Sequence, residues 1–122
     1  MIQVKRVYDA PTAHDGARFL VDHLWPRGLS KDAVKIKSWL KDVAPSHELR
    51  KWFGHDPRKW KEFQRQYFAE LDKKRQSWEP LLAAACEGDI ALVFAARDTE
   101  RNNAVALKNY LEKKTKLKRA NR

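Results

Sequence analysis

The chain has 122 residues, a formal net charge of +10, 34% charged residues and 11% aromatic residues. This length is sufficient for one domain with one hydrophobic core, and no run of about 18 apolar residues is present that could form a transmembrane helix. Residues 108–122 contain seven Lys or Arg against one Glu, so more than half of the excess positive charge belongs to this C-terminal segment.

The first part of the chain is predicted to form two strands. Residues 2–8 alternate in polarity and contain β-branched residues, which is typical of a strand. Residues 9–16 are rich in turn-forming residues, and residues 18–24 form a second apolar run. This second strand is expected to end before Pro26, because proline cannot donate a hydrogen bond to a neighbouring strand.

The next segment has two interpretations. The apolar positions of residues 29–45 fit either a short extended piece followed by a helix, or one irregular helix that ends at Pro45. Ser46 is a good N-cap and predicts a short helix through Phe53, which Gly54 would close.

The clearest helix start in the chain is Asp56 followed by Pro57, because aspartate caps a helix and proline suits its first turn. One apolar stripe at helical spacing follows: Trp60, Phe63, Tyr67 and Leu71. Residues 78–87 predict a further helix. Residues 90–96 are apolar without alternation, which favours a strand that is buried on both faces of a parallel sheet.

The last predicted helix begins near Thr99, a possible N-cap, and has an apolar side formed by Ala104, Leu107 and Leu111. Strands that alternate with helices predict an α/β fold. We therefore predict a single compact domain over residues 1–112, with a small, mainly parallel sheet of three or four strands flanked by helices. Residues 113–122 are predicted to form a basic, flexible C-terminal tail.

Several segments together resemble the YeaO-like family of small bacterial proteins of unknown function. They are KRVYD at 5–9, DGARFLVDHLWPRGLSK at 15–31, the segment at 39–71, and VFAARDTERNNAVAL at 93–107. The resemblance implies a compact α/β fold and no particular reaction. The family pattern reads VDRLWPRG where this chain has His23 as the third residue. If the arginine of the family binds a ligand, His23 either lacks that role or makes it pH-dependent.

Polar side chains that follow the predicted strands are candidate site residues, because ligands of parallel sheets bind beyond the carboxyl ends of the strands. Arginines near a helix N-terminus suit phosphate or carboxylate, which makes a nucleotide a plausible type of anionic ligand. The predicted ligand-binding residues are Arg6, Tyr8, His23, Trp25, Arg27, Arg97 and Thr99. The candidate general acids or bases, should the protein be an enzyme, are Asp22, His55 and Asp98.

Each of these assignments has a structural alternative. The arginines and aspartates could pair with one another across the end of the sheet. His55 could pack beside the Asp56 cap, and Trp25 could cover the core.

The basic segment gives an alternative function, which is sequence-independent binding of nucleic acid. The residues involved would be Lys113, Lys114, Lys116, Lys118 and Arg119, together with a Lys-rich helix face around Lys59 and Lys61. A solvated terminus that aids solubility is the other interpretation.

The remaining expectations are negative. Cys86 has no partner for a disulfide, and the first ten residues are too charged for a signal peptide, so a cytoplasmic location is expected. No metal site is predicted, since the four His show no close pair on a helix face. No bound cofactor and no membrane partner are predicted either.

Overall fold

Four parallel strands in the order β1-β4-β2-β3 form one sheet at the centre of the fold. The structure is a computed structural model, which describes the backbone of residues 1–120 and the side chains of residues 1–116. The strands are β1 (Ile2–Arg6), β2 (Ala17–Leu20), β3 (Ser38–Trp39) and β4 (Ile90–Phe94). The helices are α1 (Lys31–Val34), α2 (His47–Phe53), α3 (Trp60–Asp72), α4 (Arg75–Glu87) and α5 (Asn103–Ala120).

The central strand β4 is buried along its whole length. Leu92 lies opposite Val4 of β1 and Phe19 of β2, so both edges of β4 are paired. Apolar side chains cover both of its faces, which explains why its sequence shows no polar alternation. The predicted α/β fold with a small parallel sheet is confirmed.

The two faces of the sheet have cores of different size. The larger core joins Phe19 and Leu92 to side chains of α3, α4 and α5, including Tyr67, Leu81 and Leu107. The smaller core lies on the other face and contains five buried apolar residues, against which Trp25 and Trp39 pack. Most of the buried apolar surface, the main source of stability, therefore lies on the face covered by α3, α4 and α5.

The capping residues of the middle helices act as their sequence predicts. The Ser46 hydroxyl accepts a hydrogen bond from the Leu49 N–H at 3.2 Å, and Gly54 ends α2 in the left-handed conformation with φ 53°. Asp56 accepts a hydrogen bond from the Arg58 N–H at 2.9 Å. The turn that follows Asp56 is a 3-10 helix over Pro57–Lys59, and α3 continues from it.

Two predictions for the first part of the chain are wrong in detail. β2 ends at Leu20, although the Val21 N–H still donates to the Val93 carbonyl. Residues 29–45 are not one irregular helix, because α1 comes first and β3 follows it, with a 3-10 turn at Lys41–Val43 after the strand. An extended piece followed by a helical turn is therefore present, and α1 before it is the part that was not predicted. Pairing with β2 selects this order, since Trp39 lies opposite Leu20.

The start of the last helix also differs from its prediction. Thr99 does not cap α5, because the Asn102 side chain accepts a hydrogen bond from the Val105 N–H at 2.9 Å. α5 then continues to Ala120, beyond the boundary expected at residue 112. Flexibility of residues 113–122 stays a prediction, and residues 121–122 lie outside the described part of the chain. No helix among the described residues combines the length and the apolar character needed to cross a bilayer.

Candidate functional site

The carboxyl ends of the parallel strands lie at one edge of the sheet, and Asp22 connects the segments that meet there. Its carboxylate accepts hydrogen bonds from the Ala95 N–H at 2.8 Å and from Asn103 Nδ2 at 3.0 Å. Its backbone carbonyl accepts a hydrogen bond from Trp39 Nε1 at 2.8 Å. Asp22 therefore links the end of β2 to the ends of β4 and β3 and to the start of α5.

The surroundings of Asp22 shift its pKa in opposite directions. Burial raises the pKa of Asp22, because it disfavours the charged carboxylate. Hydrogen bonds from Asn103 and Ala95 and the positive charge of Arg50 act in the opposite direction, without cancelling the effect of burial. Asp22 thus holds a proton more firmly than an exposed aspartate does, while its oxygens are already engaged by two donors.

An open cleft of about 620 Å³ lies beside Asp22, beyond the carboxyl ends of β2 and β3. Its lining residues are His23, Leu24, Lys41, Asp42, Ala44, Pro45, Ser46, His47 and Arg50. Two of the lining residues, Lys41 and Arg50, are basic, two are histidines and one is an aspartate. The basic side chains therefore outnumber the acidic one, and the cleft is cationic.

The cationic side chains of the cleft have defined positions. Arg50 lies on α2, and its Nε donates to the Pro45 carbonyl at 3.1 Å. Lys41 Nζ lies 4.7 Å from the centroid of the Trp39 ring. Among the side chains of residues 1–116, no carboxylate forms an ion pair with either Lys41 or Arg50. Both charges are therefore available to a ligand in the cleft.

The wall that contains Ser46 is fixed to helix α3. The Ser46 N–H donates to the Glu70 carboxylate at 2.8 Å, and the Ser46 hydroxyl donates to its other oxygen. Lys74 Nζ donates to the Ala44 carbonyl at 2.7 Å. These bonds hold the turn before α2 in place, so Arg50 and His47 project from an anchored segment.

Of the residues that the sequence proposed as a site, only His23 lines this cleft, and Asp22 lies beside it. Arg6 Nε instead donates to the Ala96 carbonyl at 3.1 Å, and its guanidinium lies 5.1 Å from the Tyr8 ring centroid. The Tyr8 hydroxyl donates to the Arg27 carbonyl at 3.0 Å. These contacts hold the loops together through backbone carbonyls and an aromatic ring, and not through the arginine–aspartate pairs that the structural alternative predicts.

Trp25 also makes contacts typical of a structural residue. Its Nε1 donates to the Leu29 carbonyl at 2.7 Å. Its ring packs edge-on against Trp39, with centroids 5.4 Å apart, and covers the smaller core. A ligand contact by Trp25 stays a prediction.

The proposed residues after β4 lie in a loop outside the cleft. Asp98 accepts hydrogen bonds from the Glu100 N–H at 2.9 Å and the Arg101 N–H at 3.1 Å, and these bonds lower the pKa of Asp98. The charge of His55 contributes to the same shift. Arg97 and Thr99 are exposed. The Asp98 hydrogen bonds stabilise the turn that leads into α5.

The residues proposed for nucleic acid divide into three sets. Lys113 and Lys116 lie with Lys61 along one groove between α3 and α5. Lys114 instead lies 3.9 Å from the Asp72 carboxylate, and Lys59 donates to the Trp52 carbonyl at 2.8 Å. The side chains of Lys118 and Arg119 lie outside the described part of the chain.

The sequence-based interpretation missed Lys41, His47 and Arg50. Lys41 would have been found if β3 had been recognised, because it lies two residues after the end of that strand. Arg50 has no such signal, since it is one of several basic residues on a short helix. Among the described residues, no group of three His, Cys, Asp or Glu side chains is placed to hold a metal ion.

Comparison with known proteins identifies the family. The family model described as "Inactive DUF488-N3 subclade" matches residues 1–122. The uncharacterized protein YeaO of Escherichia coli K12 is 40% identical over 110 residues, which span 90% of this chain and 96% of that protein. The chain belongs to the YeaO-like family. This confirms the resemblance carried by the sequence motifs.

The YeaO-like chain has further relatives of similar length. An uncharacterized protein of Mycobacterium tuberculosis H37Rv is 38% identical over 110 residues, which span 90% of this chain and 92% of that protein. No solved structure matches the chain significantly. The relatives therefore define the family but name no ligand.

Proposed function

We propose that this YeaO-like chain binds a small anion with a phosphate or carboxylate group, such as a nucleotide, in the cleft beyond β2 and β3. The observation that carries the proposal is the charge of the lining. The two basic residues Lys41 and Arg50 line the cleft, against one carboxylate, that of Asp42. A guanidinium binds phosphate or carboxylate through two parallel hydrogen bonds, so Arg50 is the main anchor.

The location of the cleft supports the same proposal. Ligands of open parallel sheets bind beyond the carboxyl ends of the strands, and the cleft lies beyond two of them. The volume of about 620 Å³ falls within the range of small-molecule sites, about 300–1,000 Å³. A mononucleotide or a phosphorylated metabolite would therefore fit it.

The proposal is one of binding without turnover. The matching family model is described as an inactive subclade, which is consistent with a protein that holds a ligand and does not convert it. Asp22, the best-placed acid or base, already accepts hydrogen bonds from the Ala95 N–H and from Asn103. We assign Asp22 the role of positioning the segment that bears His23.

The test is a titration with AMP and, separately, inorganic phosphate, followed by thermal unfolding and calorimetry. At about ten times its Kd, a ligand stabilises the folded state by about 1.4 kcal/mol. Lys41→Ala should weaken binding at least fivefold, because it removes an exposed charge from the cleft. Arg27→Ala and Arg97→Ala are matched controls, since each removes one exposed positive charge outside the cleft.

The controls should bind AMP within twofold of the unaltered chain. If they lose binding and Lys41→Ala does not, the ligand site lies at the residues that the sequence proposed. If neither AMP nor phosphate binds the unaltered chain, the proposal fails.

A further inference from the structure

A groove of about 390 Å³ lies between α3 and α5, away from the anion cleft. Its lining residues are Lys61, Gln64, Arg65, Phe68, Asn109, Glu112, Lys113 and Lys116. None of them lines the cleft beyond β2 and β3. The groove is therefore a second basic surface, formed by residues nearly fifty positions apart in the sequence.

The groove is built on packed helices. Asn109 Nδ2 donates to Gln64 Oε1 at 3.1 Å, which joins α5 to α3. The Phe68 and Tyr110 rings pack with centroids 5.4 Å apart. Basic residues recur at helical spacing on both walls, so their charges follow the groove. The basic residues therefore project from a fixed scaffold.

The positive charge of the groove is only partly compensated. Arg65 forms an ion pair with Glu62, with Nη2 and Oε2 2.6 Å apart. The one carboxylate in the lining belongs to Glu112. Lys61, Lys113 and Lys116 form no ion pair with the described side chains. Within the described part of the chain, these three lysines have no partner of opposite charge.

We propose that this groove binds the phosphate backbone of single-stranded nucleic acid. The lysines are exposed and spread along two helices, an arrangement that matches a row of phosphates rather than one small anion. Helices α3 and α5 are in contact through Asn109 and Gln64, so the groove is a surface furrow, and a flexible single strand can follow it. A stiff duplex cannot bend into this furrow and would touch only its rim.

The groove recognises the phosphate backbone of the nucleic acid and not its base sequence. Its one aromatic lining residue, Phe68, already has Lys113 over its ring, with Nζ 5.2 Å from the centroid. A base therefore cannot stack on that face without displacing Lys113. Affinity comes from phosphate neutralisation, which falls as salt rises.

The test is fluorescence anisotropy of the full chain with labelled oligothymidylate, between about 50 mM and 200 mM salt. Changing Lys61, Lys113 and Lys116 together to alanine should weaken binding at least tenfold at the lower salt concentration. The slope of log K against log salt should fall by about 2, since each phosphate contact in a single strand contributes about 0.7.

The matched control changes Lys31, Lys37 and Lys73 together to alanine. These three lysines are also exposed, and the variant has the same net charge as the groove variant. It should retain binding within threefold. The groove variant should still bind AMP, because the cleft is separate.

An equal loss in both triple variants would overturn the proposal, because general attraction to a cationic protein would then suffice. So would tighter binding of duplex DNA than of oligothymidylate, or binding of poly-glutamate in its place. If the groove variant does not fold, Lys61→Ala and Lys116→Ala are measured singly. Each should reduce the slope by about 0.7, and an unchanged slope in both would refute the proposal.

Discussion

The buried charge network around Asp15 provides the sharpest test of how this fold is held together. Asp15 and Arg18 are only 3% and 4% exposed, and Arg18 Nη1 lies 2.7 Å from the Asp15 carboxylate. Lys5 Nζ lies 3.0 Å from the same carboxylate, and the Thr12 N–H and hydroxyl also donate to it. Arg18 Nε donates to the Val34 carbonyl. Asp15 thus compensates two cations from β1 and β2.

Asp15→Asn keeps the size of the side chain and removes its charge. The Arg18 guanidinium then stays buried without a carboxylate, and its Nη2 already lacks a hydrogen-bond partner. Removing one member of a buried ion pair costs about 3–5 kcal/mol. The free energy of unfolding, measured in urea by tryptophan fluorescence, should fall by that amount. Because a small domain has about 5–15 kcal/mol in total, this loss is a substantial share of its stability.

The matched control is Glu62→Gln, which neutralises a carboxylate paired with Arg65. The Arg65 side chain is 72% exposed, so its pair is solvated. Exposed pairs contribute little because water and salt screen them, so the control should keep its urea midpoint close to that of the unaltered chain. A loss below about 1 kcal/mol in Asp15→Asn would refute the view that the Asp15–Arg18 pair is structurally required.

The pH dependence provides a second check. Burial alone would raise the pKa of Asp15, but hydrogen bonds from Thr12, Lys5 and Arg18 outweigh it and hold this pKa well below its usual range. A depressed carboxyl pKa contributes stability above the unfolded value of about 3.9, and that stability is lost as pH falls towards the folded value. The unaltered chain should therefore lose stability below about pH 4 more steeply than Asp15→Asn. Equal acid slopes would contradict the assignment.

Three further predictions follow from particular contacts. Gly16→Ala should cost more than about 3 kcal/mol in urea unfolding, because φ is +65° and an added Cβ would lie 2.0 Å from the Asp89 carbonyl oxygen. Gly28→Ala, at φ +81° with no atom within 4 Å, should cost only about 1–2 kcal/mol, and equal losses would disprove the clash. Tyr67→Phe should cost about 1–3 kcal/mol, because the Val43 carbonyl loses its buried donor, and an unchanged urea midpoint would contradict this. AMP should bind less tightly in calorimetry as the salt concentration rises, since salt screens the charges of Lys41 and Arg50, and an affinity that does not change with salt would exclude them.

Helix ends and the buried strand could be predicted from the sequence, because their causes lie close by along the chain. Ser46 and Asp56 accept hydrogen bonds from N–H groups within three residues, so the sequence is enough to predict that they cap helices. Gly54 ends α2 in a left-handed conformation that glycine adopts easily. The apolar run of β4 required burial on both faces, which a parallel sheet provides.

Elements and contacts that depend on residues distant in the sequence could not be predicted in this way. β3 has only two residues and no distinctive pattern of its own, and it exists because Trp39 lies opposite Leu20 of β2. Without β3, nothing indicates that Lys41 follows the end of a strand. Asp22 was placed at the correct edge of the sheet, but its bond to Asn103 joins residues eighty-one positions apart.

The charge pattern shows the same division. The sequence alone established the excess of positive charge, its concentration after residue 108, the α/β class and the family. It could not indicate that Lys61 would lie beside Lys113 and Lys116, because that depends on how α3 packs against α5. Nor could it indicate that Arg50 would share a cleft with His23. Helix caps and buried strands depend on neighbours along the chain, whereas both candidate binding surfaces depend on side chains that only packing brings together.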